Sequence, residues 1–203
     1  MDKKKPRILL DLDQTLISAE ASDEFPYKKY KQKMKLFKFH NMEGYYIIFE
    51  RPGLQEFLTY LFENFRVSIW TAASKDYALF IIEKIVLQDK TRRLDHIFFC
   101  NHCDVSKKFK KGRSKNLETI WDVFKLEEYN SDNSIILDDY DEVHETQPEN
   151  CIIAHPFEFQ KHSSHRDKFL SQLLTELPFV IKRYQNNGSV KRGVPEINSK
   201  LKK

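Results

Sequence analysis

The chain has 203 residues, 40% hydrophobic and 13% aromatic, and its 34 Lys and Arg exceed its 30 Asp and Glu to give a net charge of +4. That length supports one domain with a core of its own, and the composition is globular rather than disordered. The charge is too small to demand a nucleic-acid partner, and three Cys give no disulfide framework. No apolar stretch approaches the ~20 residues of a membrane span, and no hydrophobic run follows the basic start "MDKKKPR". The expectation is a protein that avoids membranes and is intracellular, nuclear or cytoplasmic.

In chain order, "RILL" (7–10) reads as a buried strand running into Asp11. Residues 18–35 carry many charges without periodicity and are expected to form a mobile surface insertion. Two β-type runs in 36–50 flank Asn-Met-Glu-Gly, a hairpin signal. Pro52 and the helical spacing of Leu54, Phe57, Leu58, Leu61 and Phe62 define a helix within 51–65. "RVSIW" (66–70) is a second strand, 74–87 an amphipathic helix, and "HIFFC" (96–100) a short strand. The Lys-rich run 106–115 reads as a solvated loop, 116–126 as a helix and "NSIIL" (133–137) as a third clear buried strand. "CIIAHPF" (151–157) closes the sheet and 167–177 forms a further helix. The tail 185–203 shows no apolar face and is expected to be disordered, which leaves 1–184 as a single domain. Strands alternating with helices imply a Rossmann-like α/β fold, a mostly parallel sheet with helices on both faces.

Ligands of such sheets bind beyond the carboxyl ends of the strands. Asp11, Asp13 and Thr15 follow the first buried run, Thr71 and Ala72 the second, and Asp138 and Asp139 the third. Lys115 precedes the helix that leads into that third strand and can reach the same edge. Four carboxylates without His or Cys suit a hard cation, above all magnesium, which takes one or two carboxylates plus a phosphate oxygen. A phosphoryl group there needs donors, for which Lys115, the Thr71 hydroxyl and the backbone amides beyond Asp11 are available. One carboxylate can then attack phosphorus, and a second can protonate the leaving alkoxide.

"DLDQTLI", "RPGLQEFL", "IWTAAS", Lys115 and "IILDD", in this order, resemble the haloacid dehalogenase superfamily. More narrowly, the chain over 7–182 is similar to the small phosphatases of the RNA polymerase II C-terminal domain, the NLI-interacting-factor-like phosphatases. The resemblance implies that Asp11 is the nucleophile and Asp13 the general acid/base, lending its carbonyl to magnesium. Thr15, Thr71, Ala72 and Lys115 would bind the phosphate. Asp11, Asp13, Asp138 and Asp139 would make up the metal site, and a small β insertion would precede Lys115. The substrate would be phosphoserine or phosphothreonine in a protein segment. Three features depart from the family pattern: Asp138-Asp139 in place of Asp-Asn, no aromatic just ahead of Lys115, and a Lys-rich segment after Thr15. Substrate choice is therefore carried over less firmly than catalysis.

A polynucleotide 3′-phosphatase shares the DxDxT chemistry and is the alternative, which would make nucleic acid the partner. A non-catalytic phospho-receiver or scaffold is a third reading, disfavoured because receivers carry the acid pair on the first strand. Taken singly, Asp11 and Asp13 could be strand-end caps, Thr71 a helix N-cap and Lys115 solvated surface. "CNHC" (100–103) reads as packing at a strand end, since zinc would need a second ligand pair and redox chemistry a helix after the first Cys. Nothing in the sequence bears on oligomeric state.

Overall fold

The computed structural model describes residues 5–201, so the start at 1–4 and the last two residues of the tail lie outside it. The first half contains β1 (Arg7–Leu10), β2 (Ile17–Ala21), α1 (Tyr27–Met34), β3 (Phe39–Met42), β4 (Tyr46–Glu50), α2 (Leu54–Asn64), β5 (Arg66–Trp70) and α3 (Lys75–Ile81). After these come β6 (Ile97–Phe98), α4 (Cys100–Phe109), β7 (Ser134–Asp138), α5 (Asp141–Thr146), β8 (Cys151–Ile153), α6 (Phe169–Asn187) and α7 (Gly193–Leu201).

Five strands form a parallel sheet in the order β6-β5-β1-β7-β8. Side chains alternate across it, as strand geometry requires. Ile8 and Leu10 face one core with Ile69, Leu137 and the apolar faces of α2, α3, α6 and α7. Leu9 faces the other, with Trp70, Ile136, Ile120 and Tyr129. The chain winds from β1 outward through β5 to β6, then returns to β7 and β8 on the far side. Strand order therefore reverses at β1, and the crevice beyond its carboxyl end is where such a sheet binds ligands.

Three sequence expectations are corrected. The small β unit precedes Lys115 but does not lie directly ahead of it. It is the antiparallel sheet β2-β4-β3, inserted between β1 and α2, and the residues before Lys115 form α4 instead. Residues 18–35 are not a mobile insertion but β2 and α1. Their anchors Phe25 and Tyr30 pack on Ile47, Phe49 and Phe159, with the last two rings stacked at 3.6 Å. Periodicity failed there because a short helix on a small sheet needs only two or three buried positions.

The tail is likewise structured: α7 packs on α6 and the sheet through Val190, Val194, Ile197 and Leu201. These four recur at helical spacing, a pattern diluted by the polar residues between them. Asn198 shows why the segment docks: its side chain accepts from the Ile153 N–H at 3.1 Å and donates to the Cys151 carbonyl at 2.8 Å. It thereby satisfies the open side of β8, an edge strand whose backbone would otherwise lack partners.

Candidate active site

The loop after β1 turns sharply, with Gln14 in the left-handed region at φ 58°. The Gln14 carbonyl accepts the Phe157 N–H at 2.7 Å, and the buried Arg51 donates to the Thr15 carbonyl at 2.9 Å. Arg51 also forms a bidentate pair with Asp167, both contacts 2.9 Å, so one guanidinium ties the loop to the segment ahead of α6. These ties fix Asp11, Asp13 and Thr15 relative to the ends of β5 and β7.

Every site residue expected from sequence reaches one cleft of about 320 Å³ except Thr15, which lies just beneath it. Lys115, itself left-handed at φ 49°, places Nζ 2.5 Å from Asp11 Oδ1 and 2.7 Å from Asp138 Oδ2. A strained backbone at a buried lysine persists only where the surroundings over-determine it. Burial pulls the Lys115 ammonium down, but Asp11 and Asp138 more than offset this and hold it firmly protonated. Thr15 Oγ1 donates to Asp139 Oδ1 at 3.2 Å. One carboxylate oxygen each from Asp11, Asp138 and Asp139 lies within 4.8 Å of the others. Burial, then the Asp11 charge, pushes the Asp139 carboxyl up, and the same causes take Asp138 to about 7. Three crowded carboxylates against one ammonium fit a hard divalent cation, which would relieve that repulsion.

The Asp13 side chain stands apart from this trio and takes a 2.5 Å hydrogen bond from the Tyr77 hydroxyl of α3. Burial pushes its carboxyl up, Tyr77 holds it partly down, and Asp11 and Asp139 raise it again, to about 6. Tyr77 was not legible as a site residue. It looks like one more aromatic on an amphipathic helix, and only the fold brings it to Asp13, braced edge-on by Tyr46 of β4 at 5.3 Å. Thr71 is not the N-cap of α3, which is Ser74; its Oγ1 accepts the Ala73 N–H at 3.0 Å and keeps its proton for another acceptor. The N–H groups of Leu12, Asp13 and Ala72 have no acceptor among the described residues. Leu12 is buried, Asp13 half-buried and Ala72 exposed, so these amides are free to donate to an anion.

The C-x-x-C pair needs a correction, because a helix does follow its first Cys: α4 begins at Cys100. Cys103 is buried, with Sγ 3.5 Å from the Thr71 carbonyl, while Cys100 is exposed. The carboxylate trio is the one metal-type cluster among the described residues, and neither Cys belongs to it.

This cleft, on a doubly wound sheet with an acid pair at one strand end and DxDxT at another, defines a haloacid dehalogenase-like phosphatase. Residues 6–187 match the family of NLI interacting factor-like phosphatases, and the chain belongs to that family. It is 46% identical over 183 residues to the CTD phosphatase-like protein 355R of Invertebrate iridescent virus 6, covering 88% of this chain and 98% of that one. The counterpart in Invertebrate iridescent virus 3 is 46% identical over 172 residues, 82% of this chain and 91% of the other. Among solved structures, Fcp1, an essential RNA polymerase II CTD phosphatase, superposes with a TM-score of 0.68 at 19% identity, over 96% of this chain and 70% of its own. Fission yeast Fcp1 bound to beryllium fluoride gives 0.57 at 18% identity, over 94% of this chain and 54% of its own. No helix among the described residues is long and apolar enough to cross a membrane.

Proposed function

We propose that the protein is a magnesium-dependent phosphatase that removes phosphate from phosphoserine or phosphothreonine in a protein segment, through an aspartyl-phosphate on Asp11. The observation that carries this reading is Lys115 Nζ bridging Asp11 and Asp138 beside the carboxylate trio. Asp11, Asp138, Asp139 and the Asp13 carbonyl would hold the magnesium, which would neutralise phosphate charge during transfer. Lys115, Thr71 Oγ1 and the free amides of Leu12, Asp13 and Ala72 receive the phosphoryl oxygens. A carboxylate oxygen of Asp11 attacks phosphorus, and the ester bond to the serine or threonine oxygen breaks as Asp13 gives that oxygen its proton. Asp13, now a carboxylate, takes a proton from water; the hydroxide attacks phosphorus and the Asp11–phosphate bond breaks.

Polynucleotide 3′-phosphatase activity is the competing reading. The relatives described as CTD phosphatase-like support the protein substrate instead. A receiver or scaffold is disfavoured because the donors and the proton-transfer group of a full hydrolytic cycle stand together. The test compares a phosphoserine peptide with a 3′-phosphorylated oligonucleotide at matched charge, in the presence of magnesium. Faster turnover of the peptide is expected, and much faster turnover of the oligonucleotide replaces this reading with the polynucleotide one.

A further inference from the structure

The run from Lys107 to Lys115 contains six cations, and two of them are accounted for: Lys115 lies among the carboxylates and Lys110 pairs with Glu118. Lys107, Lys108, Lys111 and Arg113 are exposed and make no ion pair among the described residues. The helix dipole explains Lys107 and Lys108, which sit in the last turn of α4. It does not explain Lys111 and Arg113, which lie beyond the helix end.

The segment that carries those two is fixed. Gly112 N–H donates to the Lys107 carbonyl at 2.7 Å, and Ser106 Oγ donates to the Arg113 carbonyl at 3.0 Å. Lys111 adopts a left-handed φ of 51°. The backbone that carries the four charges is therefore held in one arrangement, with less ordering entropy left to lose on binding. That place adjoins the catalytic cleft, because Lys107 lines it and Lys115 closes the run inside it. The lysines of α1, by contrast, do not line the cleft.

The next stretch of rim has the opposite sign. Asp141 and Glu145 of α5 are exposed, and Glu142, which lines the cleft, accepts the Ser114 N–H at 3.1 Å. A nucleic-acid strand carries charge at every nucleotide and would meet these acids as well as the cations. A peptide can carry its second negative group on one side only.

We propose that the α4 flank is a second anion subsite, which takes a phosphate or carboxylate of the same peptide a few residues from the phosphate being removed. This rests on the protein-phosphatase reading above. An extended peptide advances about 3.3–3.6 Å per residue, so a spacing of two to four residues reaches roughly 7–14 Å from the phosphate being removed.

The test uses the full chain, a monophosphorylated serine peptide and diphosphorylated peptides with the second phosphoserine at each of those spacings on either side. Exposed pairs each contribute little, so the three outer cations together are expected to give about a tenfold preference in kcat/KM for one diphosphorylated peptide. That preference should shrink as salt rises. The Lys108→Glu, Lys111→Glu, Arg113→Glu variant should lose it, and the corresponding triple Gln variant should fall between. Turnover of a small aryl phosphate, which does not extend beyond the cleft, serves as the control and should stay within about twofold. Equal turnover of mono- and diphosphorylated peptides by an active wild type overturns the subsite and leaves the phosphatase reading standing. A wild type inactive on every phosphopeptide and on the aryl phosphate overturns the phosphatase reading itself. A preference for an equally charged 3′-phosphorylated oligonucleotide that the triple Glu variant loses assigns the flank to nucleic acid and overturns the peptide.

Discussion

Among the described residues Asp13 has a single side-chain hydrogen-bond partner, the Tyr77 hydroxyl, which orients its carboxyl and partly offsets the rise in proton affinity that burial causes. A general acid near its pKa of about 6 is protonated below that pH, so turnover of an alkyl phosphate should fall as pH rises through it. Tyr77→Phe removes a donor that favours the carboxylate, so the falling limb of the kcat profile should move to higher pH. An unmoved limb would show that Tyr77 does not act on Asp13. Asp13→Asn should damage alkyl phosphates more than aryl ones, whose leaving groups need less protonation. Asp11→Asn should abolish turnover of both, and activity within about tenfold of wild type would remove Asp11 as nucleophile. Lys115→Ala should cost about 100-fold or more in kcat, as loss of one preorganised charge does elsewhere. The acids were legible in the sequence because they follow strand ends, and Lys115 because it precedes the helix that leads into the third strand, in the motif order of the family. Tyr77 and the Arg51–Asp167 pair were not, because a partner 64 or 116 positions away leaves no local pattern.

At the level of elements, the loop after β1 and the β2-β4-β3 unit depend on two buried polar anchors. Arg51 is fully buried and lies between the rings of Phe157 and Phe169 while it holds Asp167. Arg51→Met leaves the Asp167 carboxylate and the Thr15 carbonyl without their donor and should cost about 3–5 kcal/mol, read as a lowered denaturant midpoint. Glu50 at the end of β4 is buried, which pushes its carboxyl up, but contacts from His40, Gln55 and Lys38 outweigh this and hold it below the usual range. A depressed carboxyl contributes stability above its unfolded pKa and loses it as pH falls through the folded one. The stability gap between wild type and Glu50→Gln should therefore be widest near neutrality and close in acid. Gly193 at the start of α7 meets the Val180 side chain, where an added Cβ would lie 2.8 Å from Cγ2. Gly193→Ala should lower the melting temperature by loosening α7 from α6, and an unchanged value would mean that the two helices are not tightly seated.

For the whole molecule, charge is arranged against itself: five carboxylates (Asp11, Asp13, Asp138, Asp139 and Glu142) and two lysines (Lys107 and Lys115) line the cleft of a chain that is +4 overall. Bound magnesium should relieve that repulsion, so it should raise the melting temperature, more above pH 7 than below pH 5, where the raised carboxyls of Asp13 and Asp138 are largely protonated. Asp139→Ala should weaken this stabilisation and raise the magnesium needed for activity. A melting temperature indifferent to magnesium at neutral pH would argue that Lys115 alone balances the acids.

The sequence by itself determined the parallel sheet, the strand ends that carry chemistry, and the set Asp11, Asp13, Thr71, Lys115, Asp138 and Asp139. The sheet rests on local periodicity, the acids and Thr71 on their place after a buried run, and Lys115 on its place before the helix that leads into the third strand and on the motif order of the family it resembles. Tertiary structure alone decided that β2 joins the 36–50 hairpin in a three-stranded sheet, that residues before Lys115 form α4, and that α7 caps the open edge of β8. It also decided that Tyr77 meets Asp13 and that α4, not α1, brings unpaired cations to the cleft. The physical reason is the same in each case. These features depend on which distant surfaces must cover one another's apolar and unsatisfied polar groups, and short-range spacing carries no information about that.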